Sequence, residues 1–243
     1  MKILNLGCGA KTSDSEDIVN IDWSILLRLR KNNLMRFASF FLGENRIKRL
    51  KELPNNIQVH DLRKGIPFKE FSVDAVYSSH VLEHIDRQDV PRFLNEIFRV
   101  LKPQGIIRIV VPNFSYLCSE YIKNYNKCFE CNNSRILHDN FVADIIEQSV
   151  RRECSGTSKQ KKFPRKIENL FFGDARKRGE THQWMYDQFN LKNLLLDASF
   201  QEIKVHSFLT SDIADWGRYG LDLNNQGEEY KPNSLYMEAR KIF

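Results

Sequence analysis

The chain has 243 residues, 42% hydrophobic and 28% charged, which fits one globular domain carrying insertions and excludes disordered and fibrous classes. No run approaches the roughly 20 apolar residues needed to cross a bilayer. The glycine at position 7 cuts short any signal-peptide core, and five irregularly spaced cysteines make no disulfide framework, so a cytoplasmic setting is expected.

Lys2–Leu6 is a short apolar run that meets Gly7-Cys8-Gly9 at once, the pattern of a buried parallel strand entering a tight turn. Asp17–Asp22 predicts a second strand ending in an acid, and Asn56–Asp61 a third ending the same way. Val73–Ser79 is the fourth, and Gly105–Val111, closed by Pro112, the fifth. Between these two, Val90, Phe93, Leu94, Ile97, Phe98 and Leu101 carry the spacing of a packed helix over Asp89–Leu101. Residues 114–150 read as helices and 151–180 as a basic loop. A helix at Asp187–Ala198, a strand at Glu202–Leu209 and a last strand at Ser234–Arg240 follow. Strands alternating with helices mean a parallel α/β sheet in a single domain over 1–243. A basic helical insertion at 23–56 and a helical insertion with a basic loop at 114–180 interrupt it.

The net charge of +6 is uneven, since segments 23–53 and 151–180 each carry +6 and the remainder is acidic. Positive charge gathered in this way suggests an anionic partner or surface. Segment 23–53 also contains Leu26, Leu27, Leu29, Leu34, Phe37, Phe40, Phe41 and Leu42. It is expected to be a helical lid over a ligand site, with peripheral contact to an anionic membrane surface as the alternative.

Glycines at the end of the first strand let the backbone pass close to a ligand, and an acid ending the second strand can accept from two ribose hydroxyls. The phosphate-cradling Gly-x-Gly-x-x-Gly is not met, because position 12 is Thr12, and no P-loop follows. The ligand reads as a nucleoside without a pyrophosphate.

From here the chain resembles the class I S-adenosylmethionine-dependent methyltransferases. Asn5-Leu6-Gly7-Cys8-Gly9 resembles their first motif, Asp22 the ribose-binding acid and His60-Asp61-Leu62 the adenine-side motif. Asp74–His84 resembles the fourth-strand motif and Phe98–Gly105 the turn into strand five. The likeness is closest to a bacterial subgroup, methyltransferase type 11-like and often linked with surface-glycan gene clusters. That subgroup carries His-x-Trp-Met-Tyr-Asp, here His182–Asp187, and a terminal Ser-Leu-Tyr-x-Glu-Ala-Arg-Lys, here Ser234–Lys241. The resemblance implies a Rossmann-like seven-stranded sheet with an antiparallel last strand, and S-adenosylmethionine as cofactor. It puts Asn5, Gly7 and Gly9 at the methionine part, Asp22 at the ribose, Asp61 and Leu62 at the adenine, and Ser79 at the end of strand four. Three departures stand out. Asn5 and Lys11 replace a usual acid and an often-present third glycine, and only about ten residues separate Gly9 from the second strand, so the first helix must be short.

His80, His84 and His182 are the candidate catalytic residues, because a hydroxyl acceptor must lose a proton and a histidine titrating near ~6.5 suits that task. Residues 80, 83 and 84 would share a face if the turn after strand four were helical. Imidazole suits zinc or manganese better than magnesium, but the Leu-Glu-His unit reads first as structural and no metal is assigned. Cys128 and Cys131, with Cys118 and Cys154 nearby, are read as incidental thiols rather than a zinc site. Trp184 and Tyr186 offer either a platform for a sugar face or core packing.

The expected activity is methylation, by preference O-methylation, of a small-molecule, glycan or lipid-linked acceptor. RNA or protein methylation, a nicotinamide enzyme and non-catalytic cofactor binding are the alternatives. Nucleic acid is disfavoured because Asn/Asp-Pro-Pro-Tyr is absent after strand four and no RNA-binding module is readable.

Overall fold

A computed structural model describes residues 1–31, 54–128 and 181–243, with a few positions between 138 and 145. The greater part of the first basic insertion, Cys131, Cys154 and the whole basic loop 151–180 lie outside the described residues.

Seven strands form one sheet: β1 (Ile3–Leu6), β2 (Ile18–Asp22), β3 (Ile57–Val59), β4 (Val73–Ser79), β5 (Leu101–Pro112), β6 (Gln201–His206) and β7 (Ser234–Arg240). Their order is β3-β2-β1-β4-β5-β7-β6. Strands β1 to β5 pair in parallel, and β7 runs antiparallel to both β5 and β6. Four described helices accompany them: α1 (Ile25–Lys31), α2 (Val90–Val100), α3 (Phe114–Cys128) and α4 (Gln188–Asp197).

One face of the sheet is covered as its sequence pattern requires. Helix α2 buries Val90, Phe93, Leu94, Ile97 and Val100 against Leu4, Leu6, Val76 and Ile107. Helix α4 begins with a reciprocal cap, Asp187 accepting from the Asn190 N–H while the Asn190 side chain accepts from the Asp187 N–H. It buries Leu191 and Leu195 in the same core.

Among the described residues, the opposite face is covered by the chain that follows β6. Ile213, Trp216, Tyr219 and Leu221 pack on Ile3, Ile18, Ala75, Tyr77 and Val110. Arg108, fully buried in β5, holds that segment. It pairs with Asp222 and with Glu238 at 2.8 and 2.6 Å, and donates to the carbonyls of Thr210 and Ser207. Asp222 also accepts from the Tyr77 hydroxyl and the Trp216 indole N–H. A buried carboxylate pair is tolerated here because nearly every donor aims at it.

The sequence reading needs correction in two places. No helix forms between Gly9 and β2, where a short one was expected, and residues 11–15 run as a loop. Strand β5 starts at Leu101 instead of Gly105, because Val73 already pairs with Leu101 across a bulge.

Candidate functional site

The carboxyl ends of β1 and β4 mark the switch point of the strand order, where open α/β sheets place their ligands. Here β1 turns through Gly7 and Gly9, both left-handed at φ 66° and 55°. A Cβ on Gly7 would stand 2.4 Å from Val81 Cγ2, so glycine there lets the turn lie against the end of β4. A Cβ on Gly9 would meet nothing within 4 Å, which leaves open space on that side of the turn. Gly9 donates its N–H to Asp22 Oδ2 at 2.8 Å, and Ser24 donates to Asp22 Oδ1 at 2.6 Å. Each carboxylate oxygen keeps acceptor capacity beyond these bonds.

Asn5, buried below the turn, donates to the Lys11 carbonyl at 2.9 Å and to Asn20 Oδ1 at 3.0 Å. Its amide braces the loop from beneath. Lys11, where the resemblance puts a third glycine, reaches the Leu223 carbonyl at 2.5 Å and so pins the turn to the C-terminal segment. Cys8 is buried in the turn, and burial together with the Asp22 charge pushes its thiol up, so it stays protonated and unreactive.

Asp61 caps a 3-10 turn over Leu62–Lys64. Its carboxylate takes a two-pronged bond from Arg63 at 2.9 and 2.8 Å, which holds it below the usual carboxylate range. Leu62 opens the turn, the position whose N–H a helix start leaves without an internal partner.

Beyond Ser79 the chain departs from what the sequence suggests. His80 stands at φ 53°, so 80, 83 and 84 do not share one helical face; the 3-10 turn begins only at Leu82. A histidine held in the left-handed region is strained, and such strain gathers at functional sites. The His80 N–H donates to the Val110 carbonyl at 2.8 Å. Its Nδ1 lies 3.2 Å from Glu83 Oε1, and its Nε2 lies 2.9 Å from Ser234 Oγ. Glu83 is fully buried; burial pushes its carboxyl up, but His80 and His84 outweigh that and hold it below the usual range. Burial is also the main influence on His84 and pushes its imidazole down.

His182 arrives from far along the chain. Gln183 and Trp184 both donate to the Glu83 carbonyl, and Phe114 donates to the Tyr186 carbonyl, so segment 182–186 lies along the ends of β4 and β5. The His84 and His182 rings meet edge to face, with centroids 4.8 Å apart. Tyr186 is 1% exposed and belongs to the core, so it is no platform for a sugar; Trp184 packs against the core under the Arg87 guanidinium.

His80, His182, Pro112, Asn113, Leu117 and Ser234 line a cleft of about 270 Å³, together with Pro232 and Asn233. The structure thus brings His80 and His182 to one cleft and sets His84 behind them. Glu83 and Ser234, which sequence reasoning did not assign to the site, flank His80. Their sequence signals were the Glu83-His84 dipeptide and the terminal motif that opens at Ser234.

Residues 35–109, from the first insertion through most of β5, match the family described as a methyltransferase domain. That match spans 75 of the 243 residues. Seven strands with an antiparallel β7 are what the resemblance to the class I methyltransferases implies. No curated protein matches the chain. Among solved structures it resembles S-adenosylmethionine-dependent methyltransferases from Methanosarcina mazei, Thermotoga maritima and Archaeoglobus fulgidus. The first is 17% identical, with 100% of this chain and 92% of that one covered and a TM-score of 0.45. The second is 14% identical, with coverages of 99% and 82% and a TM-score of 0.45. The third is 14% identical, with 99% and 86% covered and a TM-score of 0.43.

The glycine turn suits a nucleoside such as the expected S-adenosylmethionine, because the open space beside Gly9 and the buried Asp22 carboxylate leave room and acceptors at the strand ends. Among the described residues no helix is long and apolar enough to cross a membrane.

Proposed function

We propose that the domain methylates a hydroxyl group on a small-molecule, glycan or lipid-linked acceptor held in the cleft beside His80. The observation that carries this reading is the bracing of His80 between a buried carboxylate and a hydroxyl at the cleft wall. The carboxylate beside Nδ1 assigns the ring proton to that nitrogen and leaves the Nε2 lone pair facing Ser234 Oγ. The Ser234 hydroxyl also reaches the Lys231 carbonyl at 2.7 Å, and its one proton serves either partner. An acceptor hydroxyl would take the place of Ser234 at Nε2.

In this reading Asp22 receives the ribose hydroxyls, Gly7 and Gly9 pass beside the methionine part, and Asn5 holds their turn from below. Leu62 and Asp61 meet the adenine edge, with Arg63 keeping Asp61 ionised, and Ser79 stands where β4 meets the cleft. Bound S-adenosylmethionine supplies an electrophilic methyl on a sulfonium centre. His80 takes the acceptor's proton as the new carbon–oxygen bond forms and the carbon–sulfur bond breaks. Most of the acceleration comes from holding the two reactants in near-attack geometry.

The cleft favours a sugar-like acceptor over nucleic acid. Among the described residues its lining contains imidazole, amide, hydroxyl, proline and one leucine but neither Lys nor Arg, whereas phosphate backbones are held by clustered cations. A lipid-linked acceptor would bring the basic segment 23–53 to anionic headgroups. Incubating the protein with methyl-labelled S-adenosylmethionine and fractionated glycans, lipids and RNA tests the assignment. Label in a glycan or lipid fraction, recovered as a methyl ether, is expected; label confined to RNA or protein would overturn it.

A further inference from the structure

We infer that Glu83, His84 and His182 bind a divalent transition-metal ion of the zinc type beside the acceptor cleft. Their three donor atoms lie within 4.8 Å of one another. Tetrahedral zinc with bonds of about 2.0–2.1 Å sets its donors roughly 3.3 Å apart, a distance side-chain rotation can reach from here.

Two further observations point to a ligand. Glu83 is 1% exposed; His80 Nδ1 meets its Oε1 at 3.2 Å, while its Oε2 is buried without a hydrogen-bond partner. A buried carboxylate oxygen without a donor favours a cation beside it. His84 Nδ1 is likewise buried and without a hydrogen-bond partner, while the same ring bonds the Thr181 backbone. That is how metal-ligating histidines are set, one nitrogen fixed by a carbonyl and the other presenting its lone pair. The backbone bond from Gln183 to the Glu83 carbonyl, 2.5 Å, holds His182 to the pair across a long stretch of chain.

Two imidazoles and one carboxylate suit zinc, iron or manganese better than magnesium or calcium. Three protein donors leave a fourth position open, as in sites where the metal takes part in chemistry, and His182 also lines the cleft. A second His-Asp-Glu group, His206, Asp212 and Glu238, serves as an internal contrast. There Arg108 and Lys204 already pair with Glu238 and Asp212, each at 2.6 Å. A metal ion at that place would face their charge.

The site does not depend on the acceptor. The test therefore strips the purified protein with a chelator and titrates it with Zn²⁺ by calorimetry and with Co²⁺ by visible absorption. One equivalent per chain is expected, with a cobalt spectrum of low coordination number. His182→Ala should weaken binding at least tenfold with the melting temperature of the metal-free protein unchanged, and His206→Ala should leave binding intact. No stoichiometric binding, or binding kept in His182→Ala and lost in His206→Ala, would overturn the inference. Glu83→Gln is a second variant: it should also lose the ion, and if it unfolds, His182→Ala still decides. Failure of metal binding would leave the methyl-transfer reading untouched, because that reading is tested by label transfer.

Discussion

His80 Nδ1 and Glu83 Oε1 stand 3.2 Å apart at the end of β4, and this pairing sets the direction of the ring. His80 is thereby held with Nε2 toward the cleft, where the Ser234 hydroxyl meets it at 2.9 Å. Replacing His80 by Ala or Gln should lower turnover about 10²–10⁴-fold, the usual contribution of a general base. Affinity for S-adenosylhomocysteine and the melting temperature should change little. Turnover near the wild-type value on an identified acceptor would remove His80 from the chemistry.

The two glycines of the first turn should fail differently. Gly7→Ala drives a methyl group into Val81 Cγ2 at 2.4 Å and adds left-handed strain, so a stability loss above about 2 kcal/mol is expected. Gly9→Ala carries only the strain, roughly 1–2 kcal/mol, because its methyl enters open space. It should fold, yet bind S-adenosylhomocysteine more weakly, since the proposed function puts the cofactor in that space. Denaturant titration and calorimetry on both variants separate the two effects.

Arg108 predicts a large stability effect far from the site. Arg108→Met leaves Asp222 and Glu238 buried beside an apolar chain. Removing one partner of a buried ionic network costs about 3–5 kcal/mol. Urea unfolding should show that loss, and a change under ~1 kcal/mol would mean the network adds little.

Acid sensitivity follows from Glu96. Two bonds from Arg99, with the Ile66 N–H, hold its carboxyl down at about 2 against burial. A depressed folded-state pKa contributes stability that is present above the unfolded value near 4.5 and lost as pH falls toward about 2. The stability difference between wild type and Glu96→Gln, about 1 kcal/mol at neutral pH once solvent screening of this surface pair is counted, should shrink across that window. A difference that stays constant down to pH 2 would contradict the pairing.

Much of the frame was legible because its signals are local. Apolar runs ending at Gly7, Asp22 and Asp61 gave the parallel strands, and the spacing of Val90, Phe93, Leu94 and Ile97 gave α2. The missing first helix was not legible, since a short polar stretch supports a loop and a turn of helix equally well. Arg108 was hidden in a run of isoleucines, and its partners Asp222 and Glu238 lie more than a hundred residues away. The meeting of His182 with Glu83 and His84 goes with two backbone bonds to the Glu83 carbonyl from a distant segment, which no local pattern encodes. Lys11 departs from the motif in sequence, and its length lets it reach the Leu223 carbonyl, a contact no local pattern shows.

The measurement that tests the account most directly is calorimetric titration of S-adenosylhomocysteine into the wild-type protein and Asp22→Ala. The wild type should bind one equivalent, and the variant should lose roughly 1.5–3 kcal/mol, the worth of hydrogen bonds to a charged group, with its melting temperature recorded alongside. Absence of binding by the wild type, or equal affinity in a folded Asp22→Ala, would contradict a nucleoside site at the ends of β1 and β2.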